Sequence, residues 1–374
     1  MRVLLTGGGT AGHINPALAI AETIKQNDPD AVIEFVGIRT GKETDLVPRA
    51  GYRLHFVEAQ GIRRSLSPSN IKALWLALTS PYSKKTVSII KDFKPDVVIG
   101  TGGFTSWPLM AAAARMGIPT ALHESNSLPG LAVRRLQKKV DRIWINFPST
   151  REKLRAKDRV LHVGNPLRGG FGTLSRTEAK RKLGIAEDRM LILSFGGSLG
   201  AEAVNRAAID LMADTVRHDA TLCHVHATGK GEYERWRSYF AERGLESAEN
   251  CVLTDYIYDM PTYMAAADLV ISRAGAMTLS ELAHMKKACI LIPSPHVTDN
   301  HQYKNAKEFA DVAAASLIVE SELNGETLSK EVRRLTAPRA RIQYQTNITA
   351  FAGKDANRLI WEDVQALVKG RSQK

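Results

Sequence analysis

The sequence predicts an α/β protein of two doubly wound units, each built on a parallel sheet. Three observations predict it. Short continuous apolar runs alternate with helical patterns almost throughout the chain. The first strand of each half runs straight into glycines, "GGGTAGH" at 7–13 and "GGSLGA" at 196–201. Between the halves lies "VGNPLRGGFG" (163–172), rich in Gly and Pro and poor in periodicity, as suits a linker. The length agrees, since 374 residues exceed what one small core organises.

In the first half the strands are "RVLLT" (2–6), "AVIEFVG" (31–37), "DVVIGT" (96–101), "PTALHE" (119–124) and "RIWINF" (142–147). In the second they are "RMLILSFGG" (189–197), "TLCHVHATG" (221–229), "CVLTDYI" (251–257), "DLVISRAG" (268–275) and "ACILIPS" (288–294). Unbroken apolar runs suit strands covered on both faces, and the intervening helices imply right-handed crossovers. The boundary is placed near Gly164, dividing the chain into units 1–163 and 164–355. The last helical pattern, "ANRLIWEDVQALVKG" (356–370), is expected to pack back on the first unit.

Composition narrows the class. With 44% hydrophobic and 24% charged residues the chain reads as globular. Cys223, Cys251 and Cys289 are widely spaced and sit in apolar runs, so buried free thiols in a reducing compartment are expected rather than a disulfide framework or zinc site. No secretory leader is visible at the amino terminus, and no apolar run reaches the roughly 18 residues that span a bilayer. The net charge of +12 favours polyanionic partners, namely nucleic acid, acidic lipid or phosphate-bearing substrates, unless it is only a solvated basic surface.

Gly7, Gly9 and Gly12 spell G-x-G-x-x-G between a strand and a helix, where backbone N–H groups and the helix dipole favour a phosphate. A dinucleotide loop also wants an acid at the end of the second strand, about 20 residues on. Glu34 falls inside "AVIEFVG" instead, so that match is partial. "SRAGAMTLSELA" (272–283) is a second anion-binding junction. Its helix begins after Gly275 with Thr278 and Ser280 in the first turn, and Glu281 is near enough to accept from a ribose diol or else to cap the helix.

"DNHQYKNAKEF" (299–309) gathers polar side chains into one helical turn after a buried strand, as for a polyhydroxylated ligand or a solvated helix start. "IGTGGFTSWP" (99–108) and "HESNSLPG" (123–130) also follow strands, the end of a parallel sheet where ligands bind, so His13, His123, Glu124 and Asn126 are expected to face one cleft. "DPD" at 28–30 has the D-x-D spacing of a metal site but reads as a turn around Pro29, and no metal site is expected. In "NIKALWLALTSPYSKK" (70–85), Leu74, Trp75, Leu78 and Tyr82 share a helical face fringed by Lys72, Lys84, Lys85, Arg63 and Arg64. That face suits either an anionic membrane surface or the core.

Taken in order, "GGGTAGHINPALA", "GTGGFTSWP", "HESNSLPGLA", "GNPLR", "GGSLGA", "SRAGAMTLSELA" and "DNHQYKNA" resemble the MurG family of bacterial UDP-N-acetylglucosamine:lipid I N-acetylglucosaminyltransferases. The resemblance implies a GT-B fold, two Rossmann-like domains with parallel sheets facing a central cleft. It implies inverting transfer of GlcNAc from UDP-GlcNAc to the C4 hydroxyl of MurNAc in undecaprenyl-diphosphate-linked lipid I, giving lipid II for peptidoglycan. No cofactor beyond the donor is implied. The partners would be UDP-GlcNAc, lipid I and an anionic membrane surface, not nucleic acid, with the protein peripheral on the cytoplasmic side of the cell membrane.

By position, the resemblance assigns UDP-GlcNAc to Arg168, Ser198, Ile257, Ala276, Met277, Thr278, Leu279, Ser280, Glu281 and Gln302, with Thr10, Ala11, Gly12 and Asn126 closing over it. The acceptor diphosphate would rest on Gly7, Gly8, Gly9, Gly102 and Gly103, and His13 would be the general base. "PGLAVRRL" departs from the family at Val133, where Asn is common, and His301 stands where Gln is frequent. The rivals are a nicotinamide oxidoreductase, a UDP-GlcNAc 2-epimerase or other glycolipid glycosyltransferase, and a basic membrane or nucleic-acid scaffold.

Overall fold

The computed structural model describes residues 1–61, 69–197, 199–352 and 355–372. Arg63, Arg64 and Ser198 therefore lie outside the described residues. The chain forms two compact units, Met1–Arg168 with Lys354–Lys374, and Gly169–Gly353.

The first unit holds strands β1 (Arg2–Thr6), β2 (Val32–Gly37), β3 (Arg53–Phe56), β4 (Val97–Gly100), β5 (Thr120–Glu124), β6 (Arg142–Ile145) and β7 (Val160–His162). Helices α1 (Ala11–Asn27), α2 (Glu43–Arg49), α3 (Ser69–Thr79), α4 (Lys84–Phe93), α5 (Ser106–Arg115) and α6 (Leu131–Leu136) connect them. The sheet order is β3-β2-β1-β4-β5-β6-β7, every pairing parallel. Two apolar layers cover its faces, one around Leu109, Met110 and Ile143, the other around Ile14, Ile20 and Val97.

In the second unit follow α7 (Arg176–Lys182), β8 (Met190–Phe195), α8 (Glu202–Asp214), β9 (Leu222–Ala227), α9 (Tyr233–Glu242) and β10 (Cys251–Thr254). Then come α10 (Met260–Ala266), β11 (Leu269–Ser272), α11 (Ala276–His284), β12 (Ala288–Leu291), α12 (His301–Ala310), β13 (Ser316–Leu317), α13 (Gly325–Thr336) and α14 (Pro338–Asn347). Its sheet runs β10-β9-β8-β11-β12-β13, again parallel. All three cysteines are buried and free.

The last helix, α15 (Ala356–Ser372), belongs to the first unit. Ile360 and Val364 enter its core, and Asp363 accepts the indole N–H of buried Trp144 at 2.7 Å. The first unit also runs beyond Gly164, to Arg168. Asn357 holds both backbone groups of Leu167, at 3.1 and 2.9 Å, and the Gly164 carbonyl meets His123 Nε2 at 2.9 Å. Residues 164–168 are thereby tied to the unit before them. "DPD" is a turn, with Asp28 accepting from the chain's own amino terminus at 2.9 Å.

Candidate active site

In a doubly wound sheet, neighbouring strands whose connections leave in opposite directions open a crevice at their carboxyl ends. In the first unit that point lies between β1 and β4, which brings the loops 7–10 and 101–105 together. His13, in the first turn of α1, sits there partly exposed. Its Nδ1 lies 3.1 Å from the Thr101 carbonyl oxygen. A carbonyl only accepts, so Nδ1 carries the proton and Nε2 keeps its lone pair. The Thr101 hydroxyl returns the contact by donating to the His13 carbonyl at 2.6 Å. Desolvation lowers the His13 pKa below its ordinary value, against the opposing hydrogen bond to Thr101. The imidazole is therefore neutral and oriented at pH 7. Thr10 caps α1 without a side-chain hydrogen bond, so the helix start at Ala11 and Gly12 keeps its attraction for anions.

The glycines around His13 serve close packing. A Cβ on Gly102 would stand 3.0 Å from His13 Nδ1, and one on Gly103 2.6 Å from the Gly8 carbonyl oxygen. The Gly9 N–H, expected to meet the acceptor diphosphate, donates instead to Glu43 Oε2 at 2.9 Å. That loop thus presents a buried carboxylate where a free amide was expected.

Two residues expected in the cleft are structural. His123 is fully buried on the Gly164 carbonyl, and burial pushes its pKa down to about 4. Glu124 is also buried, accepting from Asn126 N and Nδ2 at 2.9 and 3.1 Å and from Gly130 N at 2.7 Å. Asn126 is thereby held in a tight loop ahead of α6. Glu34 is engaged by His55 and Arg53 within the sheet, which removes the acid a dinucleotide loop would need.

Leu74, Trp75, Leu78 and Tyr82 face outward, with 47, 61, 64 and 65% of their surface exposed. Ala73 and Leu76 form the packed side of α3 instead, so the four do not make a core stripe. The Arg115 guanidinium lies 4.0 Å over the Tyr82 ring, and Lys84 and Lys85 are exposed nearby in sequence.

In the second unit the corresponding crevice lies between β8 and β11, so Gly196, Gly197 and Gly200 on one side and "SRAGAM" on the other flank one opening. The glycine loop is pressed against the loop after β9. A Cβ on Gly200 would fall 2.0 Å from the Thr228 carbonyl oxygen, and one on Gly229 2.3 Å from Gly200 N. Asn205 of α8 ties the junction by donating to Thr228 O at 2.9 Å.

Behind it runs a buried proton chain whose directions follow from that bond. Asn205 Oδ1 accepts from His226 Nε2 at 3.1 Å, so His226 Nδ1 accepts the Ser194 hydroxyl proton at 2.7 Å. Ser194 Oγ then accepts from His224 Nε2 at 2.6 Å, and His224 Nδ1 ends the chain with no partner among the described residues. Burial holds His226 down to about 4 and His224 well below its ordinary value.

A histidine whose folded pKa is depressed stays neutral while the unfolded chain takes up a proton. Stability is therefore full above about pH 6.5 and falls as pH drops toward 4. For His226 and for His123 the loss at pH 5 is about 2 kcal/mol each. Taken alone, each ring should cost its unit roughly 4–8 °C of melting temperature between pH 7 and pH 5, while the buried carboxyls of Glu124 and Glu281, raised by burial, gain stability over the same range and oppose it. A His226→Asn chain that kept the wild-type pH dependence of melting would contradict the neutral buried ring.

Helix α11 starts at Ala276 with Gly275 as its cap and no side-chain capping bond, leaving the helix start suited to a diphosphate. Ala276, Met277, Thr278 and Leu279 form its first turn. Ser280 lies one turn in, and its hydroxyl donates to the Ala276 carbonyl at 3.1 Å, which corrects its expected first-turn place. Glu281 caps nothing at the helix start, and burial raises its carboxyl to about 8. Arg273 pairs with Glu320 and donates to Ile292 O at 3.1 Å, fixing the preceding loop.

Ile257 is buried after β10, beside a cluster that sequence reasoning missed. Lys230 lies 4.9 and 4.8 Å over the rings of Tyr256 and Tyr258. Gln302 accepts the Ser294 N–H on its carboxamide oxygen at 2.9 Å, which leaves its NH2 group and that oxygen's second lone pair to a sugar hydroxyl. Asp299 and Asn300 adopt left-handed backbone (φ 57° and 50°) and α12 begins only at His301, so "DNHQ" is not one helical turn. Asp and Asn tolerate that region better than other residues do. Arg168 pairs with Glu22 at 3.6 Å within the first unit. Among the described residues no three His, Cys, Asp or Glu side chains are grouped for a metal, and no helix is long and apolar enough to cross a membrane.

Residues 3–145 match the glycosyltransferase family 28 N-terminal domain and residues 191–360 its C-terminal domain. A UDP-N-acetylglucosamine–N-acetylmuramyl-(pentapeptide) pyrophosphoryl-undecaprenol N-acetylglucosamine transferase of Acetivibrio thermocellus is 39% identical over 100% of both chains. The protein of the same name from Leuconostoc citreum is 41% identical over 90% of this chain and 89% of its own. Among solved structures, MurG of Acinetobacter baumannii superposes with a TM-score of 0.75 at 25% identity, covering 98% of this chain and 99% of that one.

Proposed function

The chain belongs to the MurG family of GT-B glycosyltransferases, and on that premise we propose that it transfers GlcNAc from UDP-GlcNAc to the C4 hydroxyl of MurNAc in undecaprenyl-diphosphate-linked lipid I, yielding lipid II and UDP. The observation that carries the reading is His13, a neutral imidazole with its tautomer set by Thr101 at the first unit's crevice. His13 Nε2 takes the proton of the C4 hydroxyl as that oxygen attacks the anomeric carbon. The bond from C1 to the β-phosphate oxygen breaks, the anomeric centre inverts, and UDP departs with the electron pair.

The donor is assigned to the second unit. The α11 start, from Ala276 to Ser280, stabilises the diphosphate, and Glu281 receives the ribose hydroxyls. Ile257 meets the uracil, and Gln302 donates to a GlcNAc hydroxyl. Ser198 and Arg168 add contacts to the nucleotide sugar, and Thr10, Ala11, Gly12 and Asn126 meet the sugar. The acceptor diphosphate is assigned to the Gly102–Gly103 turn rather than to Gly7–Gly9, because Glu43 takes the Gly9 amide. Calorimetric titration tests the donor assignment. UDP should bind saturably while NADH should not, and NADH binding without UDP binding would restore the oxidoreductase.

Leu74, Trp75, Leu78 and Tyr82 form the face that rests on an anionic membrane, on its cytoplasmic side, with Lys84 and Lys85 beside it. Replacing Trp75 and Leu78 by serine should cut binding to anionic vesicles at least tenfold and leave the melting temperature unchanged. Unaltered vesicle binding would show that this face serves another purpose.

A further inference from the structure

We propose that Glu43 is a positioning residue for the transfer reaction, a buried clamp that holds the first glycine loop and, through it, His13 in working geometry. The proposal rests on the catalytic reading of His13. Glu43 is a carboxylate with no cation partner among the described residues. Glu43 is 1% exposed and engages backbone on both sides: Oε2 accepts Gly9 N–H at 2.9 Å and Oε1 accepts Ile38 N–H at 3.0 Å. These bonds join the loop after β1 to the loop after β2.

The cradle around the carboxylate consists of glycines. A Cβ on Gly8, Gly37 or Gly41 would stand 2.5, 2.6 or 2.0 Å from Glu43 side-chain atoms. Gly8, Gly37 and Gly41 therefore admit Glu43, and Gly103 packs on the Gly8 carbonyl while bordering the His13 ring. The path from Glu43 to Gly9, through Gly8 and Gly103, to the imidazole is one of direct contacts. Charge points the same way, because a carboxylate on the Gly9 amide repels a phosphate. The glycine spelling that suggests an anion site is used here for an anion the chain supplies itself.

The sequence hides this role. "GKETDLVP" (41–48) reads as a helix start, and an acid in the first turn of a helix needs no further explanation.

Three substitutions test the proposal. Glu43→Gln keeps the shape but sets an NH2 group against one of the two N–H donors. Glu43→Asp shortens the reach by one methylene. Gly41→Ala leaves the carboxylate chemistry intact and pushes it off the Gly9 amide. Each should lower kcat at least tenfold, with affinity for UDP, whose contacts are assigned outside residues 7–14, within twofold of wild type. Hydrogen exchange of the amides in residues 7–14 should quicken, and the acid limb of the kcat profile should move to higher pH as the loosened imidazole becomes hydrated. Melting curves taken alongside confirm that each variant is folded at the assay temperature. Wild-type kcat in all three variants, or unchanged exchange in residues 7–14, would overturn the clamp. Failure of the catalytic reading would look different: His13→Ala would keep wild-type turnover while the Glu43 variants still showed faster exchange.

Discussion

Replacing His13 by alanine should lower turnover about 10²–10⁴-fold, the usual contribution of a positioned general base. UDP affinity should stay within twofold of wild type. The expectation follows from how the ring is held. The Thr101 carbonyl fixes the proton on Nδ1, so Nε2 is the basic atom without a search over tautomers. Burial keeps the ring neutral at pH 7 by lowering its pKa below the ordinary 6.5. Protonation removes the base, so kcat should fall as pH drops through a value below 6.5 and be flat above it. The His13→Ala chain should lose that limb. Because no donor contact is assigned to His13 itself, the loss should fall on kcat and leave KM for the donor in place. Turnover within threefold of wild type would take His13 out of the chemistry.

Replacing Glu281 by alanine should raise KM for UDP-GlcNAc about 30-fold or more, corresponding to roughly 2–3 kcal/mol for hydrogen bonds to a charged acceptor. Burial lifts this carboxyl to about 8 in the unliganded chain, so much of it is protonated at pH 7. Ribose hydroxyls donating to the carboxylate favour its charged form and lower that pKa on binding. Donor affinity should therefore rise with pH from 6 to about 8 and level off above it, with uptake of UDP releasing protons to the buffer. Glu281→Gln should bind with intermediate affinity, since one amide oxygen replaces two carboxylate oxygens, and its binding should not vary with pH. Titrations of wild-type chain in buffers of different ionisation enthalpy measure the released proton directly. A pH-independent affinity in the wild type would place the ribose elsewhere.

The apolar runs made ten strands legible, because parallel strands covered on both faces need unbroken hydrophobic sequence. The strands that escaped notice lie at sheet edges. "RLHF" of β3 mixes polar with apolar residues, and β13 is two residues long. His13 stood out as a candidate from its place after a glycine loop, and Glu281 from its place after the Gly275 helix start. Glu43 was not, since its partners are backbone amides 34 residues upstream and 5 residues upstream, which no side-chain pattern reveals. The same holds for the proton chain from His224 to Asn205, assembled from two strands and a helix. His123 and Glu124 misled for the opposite reason. Polar residues at a strand's carboxyl end usually face a ligand, yet these two satisfy the backbone of Gly164 and of the loop 126–130.

The central claim is the transfer itself. Incubation of the full chain with UDP-GlcNAc labelled in the sugar and a lipid I analogue, followed by separation of lipid-linked from free label, measures it directly. The account predicts label in a lipid-linked disaccharide, one UDP per sugar transferred, and loss of both in the His13→Ala chain. Label that stays with the nucleotide or appears only as free sugar, with the acceptor unchanged, would contradict it.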